Sequence, residues 1–274
     1  MKKKGILYIV PTPIGNLADM TFRAIEVLKN VALIGAEDTR TSAKLLRHYQ
    51  IQTPMFSYHK FNERSRVGKV LDKLKNGEDV AIIYDAGTPS ISDPASIIIK
   101  AAIKNDIKVE TLPGATAFIP ALVSSGLGSE RFYFAGFLPE KKTEKDNLLK
   151  ELINIKDTLI FYEAPHRLLK FLFGLKNVFG NRKIVIAREL SKLYETYYRT
   201  TIDEVLENPE MITLKGEFVI IVEGAKEKEY SNAGLLEMLQ AELDKDKSRK
   251  DAIKKVMEKT GVSKNRIYDL ALKL

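Results

Sequence analysis

From Ile6 to Leu112 short apolar runs alternate with helix-periodic segments, and no other feature of this 274-residue chain limits its fold as strongly. Ile6–Val10, Ala32–Gly35, Val80–Tyr84 and Val109–Leu112 have the length and continuous apolar character of strands covered on both faces. Between them, Thr21–Asn30, Thr41–Tyr49, Glu63–Asn76 and Ala95–Asn105 carry apolar residues at helical spacing. In the first, Phe22, Ile25 and Leu28 form the stripe, widened by Val27 and Val31. Such alternation, closed by right-handed crossovers, implies a largely parallel α/β sheet. A second α/β unit is predicted from Arg131, with strands at Phe132–Gly136, Thr158–Tyr162, Ile184–Arg188 and Phe218–Val222 and helices at Thr143–Ile155 and His166–Phe179. The Ser/Gly-rich stretch Ser124–Glu130 is the expected boundary, giving α/β domains at 1–124 and 125–225.

A smaller helical module is expected at 232–274, after the polar linker Ala225–Ser231. Gly234–Leu243 reads as one helix. Ser248 can N-cap a second that carries Ala252, Ile253, Val256 and Met257 on one face and ends at Gly261. Ser263 can cap a third, with Ile267, Leu270 and Ala271 inward, and the last two helices have a helix-turn-helix outline. The net charge is +8, and Asp244–Leu274 holds ten Lys/Arg against five Asp/Glu. A solvated helical surface and a nucleic-acid contact patch both accommodate that excess.

Composition narrows the chemistry. With 45% apolar and 29% charged residues the chain can build real cores and is not a disordered polymer. The absence of cysteine excludes disulfides, thiolate nucleophiles and Cys-based zinc sites and suits the cytoplasm. Pro11, Pro13, Asn16 and Asp19 interrupt the apolar N-terminal run too early for a signal peptide. The longest uncharged stretch, Thr111–Ser129, is broken by Pro113, Gly114 and Pro120 and reads as a strand end, a turn and a buried helix, so no membrane association is expected.

The most informative motif is Tyr84-Asp85-Ala86-Gly87-Thr88-Pro89-Ser90-Ile91-Ser92-Asp93-Pro94, in which an apolar strand runs into an Asp and a Gly-Thr-Pro loop. Ligands of open α/β sheets sit beyond the carboxyl ends of strands, so this loop is placed to hold one. Alternatively, Asp85 and Asp93 simply cap turns. Leu112-Pro113-Gly114-Ala115-Thr116-Ala117 repeats the pattern after the next strand, and two such loops in succession favour a shared crevice. Neither GxxxxGK[ST] nor GxGxxG occurs, which leaves nucleotide hydrolysis and dinucleotide binding without support. Only three histidines are present, His48, His59 and His166; they are too dispersed for a His-based metal site, and no metal is expected. A Ser-His-Asp hydrolase lacks its GxSxG elbow.

Read together, Val10-Pro11-Thr12-Pro13-Ile14-Gly15-Asn16-Leu17, Ala36-Glu37-Asp38-Thr39-Arg40, Asp85–Pro94, Pro113–Ala117, Ala135–Pro139, Glu163–Arg167 and Ala187–Leu190 resemble, in order and over nearly the whole chain, the ribosomal RNA small-subunit methyltransferase I family of the tetrapyrrole methylase superfamily. The resemblance implies a homodimer of two-domain α/β subunits that bind S-adenosylmethionine in the cleft between the domains. It also implies methylation of the 2′-oxygen of a cytidine (cytidine-1402) at the decoding site of 16S ribosomal RNA, free or within the 30S subunit. Carried over by motif, Ala86, Gly87, Thr88, Ile91, Thr116, Ala117, Glu163 and Leu190 are the expected cofactor contacts. The first loop departs from the glycine-rich superfamily pattern at Pro11, Thr12 and Pro13, so no cofactor contact is assigned there.

In-line transfer from a sulfonium requires alignment and a base for the ribose hydroxyl. His59, Asp85 and Glu37 are the candidates for that base, His59 having the most suitable ordinary pKa; Arg40, Lys60 and Arg64 are candidates for phosphate contact. Each could equally be a satisfied hydrogen-bonding residue or a surface charge. Two readings compete: a precorrin- or diphthine-type methyltransferase on the same scaffold, against which the basic tail and Glu37–Arg40 argue, and a non-catalytic RNA-binding module.

Overall fold

The computed structural model describes residues 3–92, 94–226, 230–245 and 248–274; Asp93 lies outside the described residues. Backbone contacts divide the chain into a unit spanning Met1–Ala225 and another spanning Lys226–Leu274.

The first sheet of the larger unit is built from β1 (Leu7–Ile9), β2 (Leu33–Ala36), β3 (Met55–Ser57), β4 (Val80–Ile83) and β5 (Val109–Thr111) in the order β3-β2-β4-β1-β5, every pair parallel. Helices α1 (Phe22–Asn30), α2 (Thr39–His48), α3 (Glu63–Lys75) and α4 (Ser96–Lys104) form the crossovers. The pleat explains why β4 is apolar throughout. Val80, Ile82 and Tyr84 enter one core with Tyr58, Val70, Leu74 and Ile98, while Ala81 and Ile83 enter the other with Leu28, Ile34, Leu46 and Leu112.

Helix α5 (Phe118–Val123) leads into the second sheet, formed by β6 (Phe132–Phe137), β7 (Thr158–Glu163), β8 (Lys183–Arg188), β9 (Thr196–Thr201) and β10 (Phe218–Val222) in the order β6-β7-β10-β8-β9. Only β6 and β7 run parallel; β10 is antiparallel to both of its neighbours, and β8 to β9. Helices α6 (Lys142–Leu152), α7 (Leu168–Phe179) and α8 (Ile202–Glu207) belong to the same half. Leu159, Phe161, Ile186 and Ile220 pack under α7 on one face, and Ala121 and Leu122 of α5 cover Ile160, Val185 and Ile221 on the other.

α8 carries a full capping box: Thr201 Oγ1 accepts from the Glu204 N–H while Glu204 accepts from the Thr201 N–H. Thr201→Ala is expected to cost about 1 kcal/mol, to be read from urea unfolding with an unchanged slope.

The smaller unit contains α9 (Asn232–Leu243), α10 (Arg249–Thr260) and α11 (Lys264–Ala271) around Leu235, Leu239, Ala252, Val256, Ile267 and Leu270. Ser248 caps α10 through the Asp251 N–H, and Gly261 ends it in the left-handed region at φ 70°. Ser263 stands at the N-cap of α11, but its side chain makes no capping hydrogen bond. Among the described residues no helix is long and apolar enough to cross a membrane.

Candidate active site

Parallel packing of β1, β2 and β4 brings their carboxyl ends to one edge, and the loops that follow are tied together. Thr12 and Gly87 exchange two main-chain hydrogen bonds of 3.0 Å each. Thr12 Oγ1 donates to the Tyr84 carbonyl at 2.8 Å, and Thr88 Oγ1 donates to the Ala115 carbonyl at 3.0 Å and lies 2.8 Å from Thr116 Oγ1. The two Gly/Pro loops therefore close on each other. Glycine is required at 87, where φ is 80°, and at 114, where a Cβ would stand 2.6 Å from Pro11 Cβ. Left-handed backbone recurs at Ser90, Ser92 and Ala95. Such concentration within nine residues is the kind of local strain that collects at ligand loops.

These loops form one side of a cavity of about 400 Å³. Ala86, Gly87, Thr88, Ile91, Thr116, Ala117, Glu163 and Leu190, the eight residues expected to meet the cofactor, all line it, as do Glu37 and Asp85. Sequence reasoning missed Ile14, Phe137, Tyr162 and the run Gly216–Val219. That run begins β10, whose antiparallel direction sets Phe218 opposite Glu163 and Arg188, so the amino end of one strand joins the carboxyl ends of its neighbours. The visible signal is Gly216, at φ 92°, where a Cβ would meet the Glu189 carboxyl at 2.4 Å. Glu189 accepts the Glu217 N–H at 3.0 Å, and Lys192 bridges Glu189 and Glu217 at 2.9 and 3.0 Å. The lysine beside it holds the Glu189 carboxyl below its ordinary pKa.

Asp85 stands at the cavity mouth, open to water as a residue. Even so, the protein crowding its carboxyl raises its pKa, and the nearby Asp38 carboxylate adds to the shift; the Asp38 N–H, donating to Oδ1 at 3.3 Å, opposes it. Glu163 is buried, with Oε1 accepting from the Ala164 N–H at 2.9 Å and paired with Arg167 Nε at 3.2 Å. This contact fixes the turn that delivers Ala164 and Pro165 to the cavity wall.

The remaining candidates stand elsewhere. His59 follows β3 and is not among the lining residues; β3 is two strands from β4, roughly 10 Å in the sheet. Its Nδ1 accepts the Phe61 N–H at 3.2 Å, and Asn62 Nδ2 lies 3.2 Å from its Nε2, so the ring is engaged within its own turn. Lys60 and Arg64 are exposed on either side of Phe61, itself 93% exposed. Arg40 is exposed and holds Asp38 through two contacts of 3.1 and 3.2 Å, which keeps the Asp38 carboxyl below its ordinary range. Solvent-exposed pairs of this kind contribute little, so a phosphate could replace the carboxylate at small cost.

The architecture is shared with solved methyltransferases. Uroporphyrin-III C-methyltransferase of Thermus thermophilus aligns with a TM-score of 0.58 at 16% identity, over 80% of this chain and 94% of that one. Diphthine synthase aligns with a TM-score of 0.65 at 11% identity, over 80% and 90%. That likeness is one of fold; the class is defined by residues 6–206, which match the family described as Tetrapyrrole (Corrin/Porphyrin) Methylases. Among curated relatives, the ribosomal RNA small subunit methyltransferase I of Synechocystis sp. is 43% identical over 98% of both chains. That of Bacillus subtilis is 43% identical over 97% of this chain and 93% of its own. The chain belongs to the tetrapyrrole methylase family and, within it, to the group of ribosomal RNA small subunit methyltransferases I.

Proposed function

We propose that the protein transfers a methyl group from S-adenosylmethionine to the 2′-oxygen of a cytidine ribose at the decoding site of 16S ribosomal RNA, as a cytoplasmic homodimer acting on the RNA or the 30S subunit. The observation that carries this reading is the convergence of every motif-borne cofactor candidate on one cavity, in a chain whose near full-length relatives bear the rRNA methyltransferase name.

The lining suits that donor. Ile14, Ile91, Phe137, Phe218 and Val219 provide apolar walls for a purine and a thioether, while Glu37 and Asp85 add carboxyls that favour a cation; Glu163 and Glu217 are already paired with Arg167 and Lys192. When bound, S-adenosylmethionine supplies a methyl carbon on a positively charged sulfur, which leaves as a neutral thioether. The chain must supply alignment, exclusion of water and a proton acceptor. Holding the reacting groups in line is worth roughly 7–11 kcal/mol in well-oriented systems. Asp85 is the proton acceptor the geometry supports best: it is at the cavity mouth, and its raised pKa makes it a stronger base than an ordinary aspartate. Glu37, one strand over, adds negative charge to the same rim. Arg40, Lys60 and Arg64 are exposed for phosphates beyond the neighbouring strand ends, with His59 in the same segment.

The dimer rests on a different surface. Ile119 and Val123 of α5 are exposed, as are Leu193 and Tyr194. Hydrogen bonds from Tyr197 to the Pro120 carbonyl and from Arg199 to the Ser124 carbonyl bind α5 to β9 beside them. A second copy would cover this apolar face.

Ribose-methylation mapping of 16S rRNA from cells with and without the protein tests the function. One methyl at the decoding site is expected to disappear with the protein; an unchanged map would overturn the reading.

A further inference from the structure

After β3 the chain turns through His59–Asn62 into α3, and Phe61 in that turn is 93% exposed. β3 is an edge strand of the first sheet and runs parallel to β2, so the turn stands on the same carboxyl edge of the sheet as Glu37 and Asp85. A lone apolar side chain on a surface is ordinary. What sets Phe61 apart is how firmly its turn is built. The His59 carbonyl accepts from the Asn62 and Glu63 N–H groups at 2.9 Å each, and Asn62 Oδ1 accepts the His59 N–H at 2.9 Å. Asn62 Nδ2 donates to the Ser57 carbonyl at 3.1 Å, and the Phe61 N–H donates to His59 Nδ1 at 3.2 Å. The His59 ring meets the Phe61 ring edge-on, 6.0 Å between centroids.

Positive charge surrounds the ring. From Ser57 to Lys69 the chain carries four cations, Lys60, Arg64, Arg66 and Lys69, and one acid, Glu63, which is buried. Lys60 and Arg64 are exposed. The surface is therefore an open aromatic face set among cations and held in place before any partner arrives. A nucleobase has a flat face for the ring and brings phosphates for the cations, and this pairing of stacking with positive charge is how proteins grip single-stranded nucleic acid. Because the turn is already ordered, little freedom is lost when a base settles on it.

We infer that Phe61 is a stacking platform for an unpaired base of the substrate RNA, with Lys60 and Arg64 on the adjoining phosphates. The inference rests on the proposed rRNA methylation and adds a contact that reads the strand beside the methylated nucleotide. β3 is two strands from β4, roughly 10 Å in the sheet, so the stacked base is a neighbour of the acceptor and not the acceptor itself. Phe61 is thus a positioning residue: it holds the strand and touches no reacting atom.

Three variants of the full-length protein test this, all at exposed positions where no core is disturbed. Phe61→Leu keeps an apolar side chain and removes the aromatic face, whereas Phe61→Trp keeps the face. Phe61→Leu is expected to raise KM for methylation of unmodified 30S subunits by about 5–150-fold, the usual worth of one stacked base. Its kcat, and its calorimetric Kd for S-adenosylmethionine, should stay within about twofold of the unsubstituted protein. Phe61→Trp should keep KM within about threefold of wild type. Lys60→Gln combined with Arg64→Gln should flatten the plot of log(kcat/KM) against log salt by about 0.7–0.9 for each charge removed. Wild-type KM in Phe61→Leu would overturn the inference and mark the ring as an apolar contact for a protein neighbour. Equal losses in the leucine and tryptophan variants, a loss confined to kcat, or a changed oligomeric state in light scattering would overturn it as well. If the unsubstituted protein binds the donor and methylates no rRNA, the function itself fails, an outcome distinct from all of these.

Discussion

Asp85→Asn is expected to lower kcat for rRNA methylation by about 10²–10⁴-fold, the usual worth of a positioned general base, while the Kd for S-adenosylmethionine stays within about threefold of wild type. Asparagine keeps the shape and can still accept the Asp38 N–H, but it cannot take up a proton. Burial raises the Asp85 pKa, so the kcat profile should fall on the acid side at a pH above the ordinary aspartate value of about 3.9, and that limb should vanish in the variant. Stability moves the other way. For a carboxyl raised on folding, the stabilising contribution is complete below the unfolded-state pKa and is lost as pH rises through the folded-state value. At neutral pH the charged group is disfavoured in the fold, so Asp85→Asn should unfold at or above the wild-type temperature. A variant that loses activity together with thermal stability would instead mark Asp85 as structural, and an unchanged kcat would pass the role to Glu37 or His59.

Gly87→Val is expected to weaken donor binding strongly. At φ 80° a β-branched residue is strained by about 1–3 kcal/mol, which corresponds to about 5–150-fold in affinity if the loop relaxes to the β region and reverts only on binding. A Cβ itself has room, with Ile14 Cγ2 at 3.7 Å and the Ala115 carbonyl oxygen at 3.9 Å. The γ-carbons of valine would extend into the cavity. Gly87→Ala carries the backbone cost alone, so calorimetric titration of both variants separates strain from occlusion. Equal affinities for alanine, valine and wild type would show that the donor does not approach this loop.

Much of the fold was readable because the residues that matter are apolar at diagnostic spacing. Val80–Ile83 and Phe218–Val222 are unbroken runs that only a doubly covered strand explains, and the helices between the first strands keep a clear stripe. The cofactor candidates of the first sheet were readable for the same reason, since each follows a parallel strand whose end is fixed by the crossover rule. Four features resisted. β3, Met-Phe-Ser, is too short to show a run. β9, Thr-Tyr-Tyr-Arg-Thr-Thr, is an edge strand without an apolar run. Gly216–Val219 reaches the cavity at the start of an antiparallel strand, a direction that no local pattern encodes. His59 looked suitable by residue type, but the strand order β3-β2-β4 sets it one position beyond Glu37, and strand order is a long-range property of the sheet.

The paired main-chain hydrogen bonds between Thr12 and Gly87 have a mechanical consequence. The loop that carries Pro13 and Leu17 and the loop that carries Gly87 and Thr88 are halves of one rigid clasp, so neither can yield without dragging the other. Any tightening of that clasp by one ligand must, by reciprocity of linked equilibria, raise the affinity for its counterpart by the same factor.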